Sequence, residues 1–461
     1  MTLIKSISGI RGTIGGKVGD NLTPLDVVKF SAAYGQWIKT QRNKDNYKVV
    51  VGRDARISGN MVQSLVMQTL SGMGIHVVDL ELSTTPTVEV AVKMEHADGG
   101  IILTASHNPK QWNALKLLNK DGEFLNAEEG EQILKFVELE DFEFSEVDDL
   151  GKITHHNAYI DLHIEEILNL DLVEVDRIKD ANIKVVVDAV NSTGGISIPP
   201  LLEMLGVEVV KLYCEPNGDF PHNPEPLAKH LTELSEKVKD QHADFGIAVD
   251  PDVDRLAFVD ENGEMFGEEY TLVSIADYVL SRKKGSTVSN LSSSRALRDI
   301  TEKYGCEYFA SAVGEVNVVA KMKKVDAVIG GEGNGGVIYP ELHYGRDSLV
   351  GVALFLSLLT ERKMKVSELR QTYTSYFMAK EKIELTPGLN VDSLLNKIQE
   401  KYQDEDISSI DGVKIDFETN WVHLRKSNTE PIIRIYTEAK SQKEADELAQ
   451  RFIAELEELS K

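Results

Sequence analysis

The sequence predicts a protein of three similar α/β domains, each a βαβ-containing mixed sheet, followed by a smaller C-terminal α+β domain. Three observations predict it. A strand–loop–helix–strand unit occurs three times, starting near Lys48, Lys184 and Thr287, at spacings too long for a solenoid. Each of those helices ends on a glycine, followed by an apolar alternation that reads as the next strand. Beyond about residue 375 the pattern changes to short alternating strands and one long amphipathic helix. The expected domains are 1–152, 153–256, 257–374 and 375–461.

In chain order, Ser8-Gly9-Ile10-Arg11-Gly12-Thr13 places an arginine between glycines. Thr23-Pro24 predicts a helix start, with Thr23 as N-cap and proline at the first helical position. Lys48–Gly52 reads as a strand, Arg53-Asp54-Ala55-Arg56 as its loop, a helix ends at Gly72–Gly74, and His76–Leu80 returns as a strand. The second unit runs from Lys184–Asp188 through Asn191–Gly195 to a helix ending near Gly206, then Val207–Val210. The third runs from Thr287–Ser289 through Ser292–Ser294 to a helix ending at Gly305, then Cys306–Phe309. In the last domain, Glu381–Leu385, Gly412–Asp416, Trp421–Arg425 and Ile432–Glu438 read as strands, and Lys443–Leu459 as a helix. The acidic, apolar-poor 138–149 stretch is expected to be a surface loop.

Apolar residues make up 42% and charged residues 27% of 461 residues, the composition of an ordinary globular chain. No stretch approaches the ~18 apolar residues of a membrane span, and the N-terminus lacks the build of a signal peptide. Cys214 and Cys306 build no disulfide framework, so a cytoplasmic location is expected. Acidic residues outnumber basic ones by 75 to 50, for a net charge of −25. That argues against nucleic acid as a partner, because such binding depends on neutralising phosphates with Lys and Arg. Arg11, Arg53, Arg56, Arg255 and Arg425 nevertheless sit in Gly- or Ser-rich loops, which suggests a local pocket for a small anion.

Four motifs carry chemistry. Thr104-Ala105-Ser106-His107-Asn108-Pro109 follows the buried strand Gly99–Leu103, so Ser106 is expected on a turn at the strand's carboxyl end, where open α/β sheets bind ligands. Pro109 biases Asn108 away from helical geometry. Asp250-Pro251-Asp252-Val253-Asp254-Arg255 places three carboxylates at alternate positions between two apolar strands, an oxygen-rich set for one hard cation. An EF-hand is rejected because Arg255 stands where that loop needs glycine and the flanks are strands. Gly330-Gly331-Glu332-Gly333-Asn334-Gly335-Gly336 contains a GxGxxG match, but Val337-Ile338-Tyr339-Pro340 cannot open the helix that a dinucleotide turn requires. Arg425-Lys426-Ser427-Asn428-Thr429-Glu430-Pro431, with Arg434 beyond, offers guanidinium, hydroxyl, amide and turn N–H groups for a phosphate dianion. Taken singly, the first and last also read as ordinary solvated turns.

In this order along the chain, the four motifs resemble those of the α-D-phosphohexomutases, the family of phosphoglucomutase, phosphomannomutase and phosphoglucosamine mutase. The resemblance covers nearly the whole chain and implies four domains around a central active-site cleft. It implies a phosphoserine at Ser106 and one Mg²⁺ bound by Asp250, Asp252, Asp254 and the phosphate on Ser106. It also implies sugar hydroxyls on Glu332, and the sugar's far phosphate on Arg425, Ser427, Asn428 and Thr429, with Arg434 nearby. Asn334 and Gly336 depart from the family's Glu-x-Ser-Gly-His, so the hydroxyl and imidazole contacts do not carry over. Lys116, Arg255 and Arg11 would stand near the transferring group. Lys116 would serve as general acid or base if its pKa is depressed, and His107 is the second candidate unless it is merely a packed neutral histidine.

The reaction implied is isomerisation of hexose 6-phosphate and hexose 1-phosphate through a hexose 1,6-bisphosphate that also acts as activator. No P-loop occurs, so a nucleoside triphosphate is not the donor by that route. Thr104 and Asn428 lean towards phosphomannomutases and phosphoglucomutases. The Thr429–Arg434 run and the glycine-rich loop lean towards an archaeal-type phosphoglucosamine mutase, so glucosamine phosphate is the preferred expectation. A metal-dependent phosphatase using Ser106 and a non-catalytic sugar-phosphate-binding protein are the alternatives from other classes. The expected partner is a small sugar phosphate, on a monomer or homodimer, with no membrane.

Overall fold

Strands β1 (Ile4–Ser6), β2 (Gly9–Thr13), β3 (Tyr47–Arg53), β4 (Ile75–Leu82), β5 (Gly99–Leu103), β6 (Trp112–Leu118) and β7 (Ile153–His155) form the first sheet, in the order β1-β2-β6-β5-β3-β4-β7. Strands β8 (Lys184–Asp188), β9 (Glu208–Leu212), β10 (Phe245–Val249) and β11 (Leu256–Asp260) form the second, in the order β11-β10-β8-β9. Strands β12 (Thr287–Asn290), β13 (Tyr308–Ser311), β14 (Ile329–Glu332) and β15 (Gly336–Ile338) form the third, in the order β13-β12-β14-β15. The three share one four-stranded unit. In each, a central strand is flanked by two parallel neighbours, and the fourth strand folds back antiparallel on the third. The computed structural model describes residues 2–6, 9–42, 44, 46–384, 391–426 and 432–459.

Local signals explain the shared unit. The helix Pro24–Gln41 begins where expected, with Thr23 and Asp26 satisfying each other's backbone N–H groups in a capping box. The helices Gly59–Gly72, Gly194–Met204 and Ala296–Lys303 each lead into Gly74, Gly206 and Gly305 at φ of 76°, 72° and 67°. Those left-handed positions are what the glycine signal anticipates. Two expected borders shift. β7 pairs with β4, so the first sheet extends past residue 152, and β11 completes the second sheet beyond residue 256. Both are edge strands whose membership is set by pairing partners distant in sequence.

The second and third domains share one apolar core. Phe245 and Phe258 of the second sheet pack with Phe266 and with Phe355, on a helix (Ser348–Arg362) buried along most of its length. The fourth domain is the antiparallel sheet β16 (Phe377–Glu384), β17 (Asp406–Ser408), β18 (Val413–Asp416), β19 (Trp421–Lys426) and β20 (Ile432–Ala439), in the order β16-β20-β19-β18-β17. One face packs on the helices Val391–Lys401 and Gln442–Leu459. The other docks on the third domain through polar groups. Ser292 Oγ lies 2.8 Å from His423 Nδ1, and Arg295 donates to Asp416 at 2.9 Å. Among the described residues no helix is long and apolar enough to cross a membrane.

Candidate active site

The turn between the third and fourth strand of each repeated unit carries one of the motifs. The β5–β6 turn carries Ser106, the β10–β11 turn carries Asp250–Asp254, and the β14–β15 turn follows Glu332 and carries Asn334. Ser106 adopts φ 48°, and Val253 at the centre of the aspartate turn adopts φ 65°. Left-handed backbone at a β-branched residue is costly and persists only where surrounding contacts enforce it, commonly at functional loops. Those contacts are visible. Thr104 Oγ1 accepts from Ser106 N at 2.9 Å and donates to Asp54 Oδ2 at 2.6 Å. The buried guanidinium of Arg56 pairs with Asp54 and donates to the carbonyls of Ser106, Asn108, Pro109 and Trp112. Arg56 therefore does not face an anion pocket, as its loop position suggested; it clamps the Ser106 turn. Arg53 is likewise tied to Gln63 and the Asp54 carbonyl.

The aspartate turn lies directly against Ser106, whose Oγ donates to Asp250 Oδ2 at 2.7 Å. One carboxylate oxygen from each of Asp250, Asp252 and Asp254 falls within 4.8 Å of the others, and all three residues are fully buried. Lys116 Nζ reaches Asp252 at 2.7 Å and Asp254 at 3.4 Å, and Arg346 reaches Asp254 at 2.6 Å. Even so, Asp252 Oδ1 and Asp254 Oδ1 are buried without a hydrogen-bond partner. Burial and the two neighbouring carboxylates hold the Asp250 carboxyl well above the usual range. Orphaned anionic oxygens converging on one point fit a hard divalent cation such as Mg²⁺.

Above this turn opens a cavity of about 540 Å³, lined by groups from all four domains, including Arg11, Ser106, His107, Lys116, Arg255, Glu332, Asn334 and Arg425. Burial and the nearby Arg255 cation lower the Arg11 pKa, a sign of positive charge concentrated there. Burial, with Arg255 next, pushes His107 down to about 2, so its imidazole is neutral, with Nδ1 3.4 Å from Ser106 Oγ. For Lys116 the condition for an acid–base role, a depressed pKa, is not met. Burial alone would lower its pKa, but Asp252 and Asp254 outweigh that and raise it, so this ammonium is held charged. Glu332 is the last residue of strand β14 rather than part of a free loop, and accepts from Asn290 Nδ2 at 2.8 Å and Arg346 at 3.0 Å. Arg425, on β19, lies opposite Arg434 on β20, which in turn lies opposite Lys382 on β16. The three cations form a row on one face of the fourth sheet. Arg425 lines the cavity and leans on Asp411 at 3.3 Å, whereas Arg434 is not among the described cavity-lining residues. Ser427, Asn428 and Thr429 lie outside the described residues.

Residues 3–144, 161–263 and 267–376 match the phosphoglucomutase/phosphomannomutase alpha/beta/alpha domains I, II and III, and residues 379–455 match the C-terminal domain of the same family. The chain belongs to the phosphoglucomutase/phosphomannomutase family. A phosphoglucomutase/phosphomannomutase of Thermococcus kodakarensis is 36% identical over 98% of this chain and 99% of its own length. A phosphoglucosamine/phosphogalactosamine mutase of Sulfurisphaera tokodaii is 35% identical over 95% and 96%. A solved family protein from Burkholderia thailandensis superposes with a TM-score of 0.85 at 26% identity, covering 99% of this chain and 98% of that one. The protein is a phosphohexomutase, an isomerase.

In this phosphohexomutase sequence reasoning missed Arg346, Thr85 and Glu315, of which Arg346 makes the most contacts. Its guanidinium joins Asp254 at 2.6 Å, Glu315 at 3.0 Å and Glu332 at 3.0 Å, so it ties the aspartate turn to the glutamate. Burial would lower its pKa, but those carboxylates outweigh it and hold the cation firmly charged. The signal was faint: a Gly-Arg-Asp-Ser run in which Asp347 caps the helix Ser348–Arg362. Thr85, whose hydroxyl donates to Asp252 at 2.6 Å, and Glu315, which lines the cavity, carried no signal beyond residue type.

Proposed function

We propose that the enzyme interconverts hexose 6-phosphate and hexose 1-phosphate by way of a phosphoserine at Ser106, with glucosamine phosphate as the preferred substrate. The observation that carries this reading is Ser106 Oγ, held 2.7 Å from Asp250 in a cavity that Arg425 of the fourth domain also lines. In the forward half-reaction a free sugar hydroxyl attacks the phosphoryl group on Ser106. The new P–O bond forms to the sugar, the P–O bond to Ser106 Oγ breaks, and the hydroxyl proton leaves to a base in the cavity. The product of that half is a hexose 1,6-bisphosphate, which after turning over returns its other phosphoryl group to Ser106.

Each residue has a physical task. Lys116, held charged, and Arg255 and Arg11 stabilise negative charge on the transferring group. Arg346 fixes Glu332, whose carboxylate accepts hydrogen bonds from ring hydroxyls. Arg425, with Ser427, Asn428, Thr429 and neighbouring Arg434, anchors the non-transferring phosphate and so orients the sugar. Asp250, Asp252 and Asp254 would hold Mg²⁺, which supplies charge neutralisation on the phosphate when bound. Neutral His107 packs against the turn. The preference for glucosamine is supported by the name of the Sulfurisphaera tokodaii relative, against which stands the Thermococcus kodakarensis one.

The test is incubation of the Mg²⁺-loaded protein with glucosamine, glucose and mannose 1-phosphates, with products separated as isomer and inorganic phosphate. Isomer formed fastest from the glucosamine compound supports the proposal. Release of phosphate would indicate the phosphatase instead, absence of turnover a binding protein, and faster conversion of another sugar would revise the substrate alone.

A further inference from the structure

A second cluster of potential ligands, none of them among the residues that line the cavity, lies beside the aspartate turn where the three α/β domains meet. Thr87 and Glu89 come from the first-domain helix Thr85–Met94, His163 from the helix Tyr159–Leu168 of the second domain, and His343 and Asp347 from the third. All five are buried, at 3% exposure or less. Asp347 uses Oδ1 to cap the helix Ser348–Arg362, accepting from Leu349 N at 2.8 Å and Val350 N at 3.3 Å. Its other oxygen, Oδ2, faces two imidazoles at once, His163 Nε2 at 3.0 Å and His343 Nε2 at 3.3 Å.

Burial would lower the His343 pKa, but its contacts to Asp347 and Glu89 outweigh that and push it up to about 9, so without a metal the cluster needs a positive charge on His343 itself. His343 Nδ1 lies 3.3 Å from Glu89 Oε2, so that nitrogen must carry a proton to meet the carboxylate. A neutral His343 then aims the lone pair of Nε2 at Asp347 Oδ2, acceptor against acceptor. His163 has the same option, because its Nδ1 is 3.0 Å from Thr87 Oγ1, and that hydroxyl can pass its own proton to Thr84 Oγ1 at 2.7 Å. Neither oxygen of Glu89 has a hydrogen-bond partner of good geometry, and neither does His343 Nδ1, although all are buried. A cation among the two Nε2 atoms and Oδ2 removes the conflict and leaves each Nδ1–H for an outer partner, Glu89 for His343 and Thr87 for His163. That is the arrangement of metal-bound histidines oriented by a carboxylate or hydroxyl behind them.

We propose that His163, His343 and Asp347 form a metal site for a zinc-type divalent cation, oriented by Glu89 and Thr87, that ties the three α/β domains together. The three ligand atoms lie within 4.8 Å of one another, and the edges from Asp347 Oδ2 to the two Nε2 atoms, 3.0 and 3.3 Å, are close to the about 3.3 Å edge of a tetrahedron with zinc–nitrogen bonds. Two imidazoles and one carboxylate select Zn²⁺ or Co²⁺ over Mg²⁺, which prefers oxygen alone. The chemistry thus separates this site from the all-carboxylate set beneath Ser106.

The experiment uses the full chain produced in cobalt-supplemented medium, so that metal enters during folding, with Mg²⁺ in excess afterwards. Elemental analysis should find about one cobalt per chain, with the strong visible bands of a four-coordinate nitrogen-ligated ion. Asp252→Asn should keep both, His163→Gln and His343→Gln should lose both, and removal of the metal by a chelator should lower Tm by a few degrees in the first and not in the latter two. A wild-type chain with no stoichiometric cobalt and no chelator effect on Tm overturns the proposal and leaves a network held by a protonated His343. Loss of the bands in Asp252→Asn overturns it equally, because the ion would then sit on the aspartate triad. Should the histidine variants not fold, the wild-type and Asp252→Asn measurements decide.

Discussion

Ser106 and Asp250 meet through a single hydrogen bond of 2.7 Å between residues 144 positions apart. The two left-handed positions beside it, Ser106 itself and Val253, show that the surrounding contacts enforce this meeting. Ser106→Ala removes the hydroxyl without disturbing the Arg56 clamp, which grips backbone carbonyls. Activity should fall on the order of a thousandfold or more while hexose phosphate still binds by calorimetry. Mass spectrometry of the wild-type chain should find phosphate on Ser106 in a fraction of molecules; an alanine variant with full activity would remove the phosphoserine route. Asp252→Asn takes one charge from the triad and one partner from Lys116. The Mg²⁺ concentration for half-maximal rate should rise roughly tenfold or more, and an unchanged Mg²⁺ titration would make the turn structural.

At the scale of elements, one hairpin turn, repeated in three domains, carries Ser106 in the first, the carboxylate triad in the second, and follows Glu332 in the third. The tightest is the turn between β14 and β15. Gly335 there has φ 83°, its carbonyl accepts from Leu256 N, and a Cβ on it would lie 2.2 Å from the Leu256 carbonyl oxygen. Neither backbone can give way without parting β11 from this turn. Gly335→Ala should therefore cost at least roughly 1–3 kcal/mol, read as a lower urea midpoint with an unchanged m-value. It should also raise KM for the sugar phosphate, because Glu332 is positioned by the same strand. A variant as stable as the parent would show that the turn is more plastic than its contacts imply.

For the whole molecule, the decisive feature is a cavity that needs all four domains. The second and third are joined by a common core, whereas the fourth docks on the third through polar contacts and brings Arg425 to the cavity. A charge-assisted hydrogen bond to a dianion is worth roughly 1.5–3 kcal/mol, so Arg425→Ala should lower kcat/KM on the order of tenfold to a few hundredfold. Most of the loss should appear in KM, because the anchored phosphate is held alike in ground and transition states. Dependence on added hexose 1,6-bisphosphate should increase as the intermediate escapes more easily. Steady-state kinetics with and without the bisphosphate checks this. If neither KM nor that dependence changes, Arg425 is not the anchor.

The sequence by itself determined the elements and the motif chemistry, because these depend on local signals. Glycines at helix ends, Thr23-Pro24, alternating valines and three aspartates at alternate positions are each read within a few residues. It also marked Ser106, the aspartates, Glu332 and Arg425, and the structure brings them to one place. Where the signal was not local, it failed. The membership of β7 and β11 is set by strand pairing with distant partners. Arg56 reads as a loop cation, yet the fold buries it beneath the Ser106 turn; the general acid or base role of Lys116 depends on a depressed pKa, yet two aspartates from another domain hold it charged. Arg346 and the His163–His343–Asp347 cluster came only from tertiary structure. Electrostatic role is fixed by which charges burial brings within a few ångströms, and that depends on long-range packing rather than on neighbours in the chain.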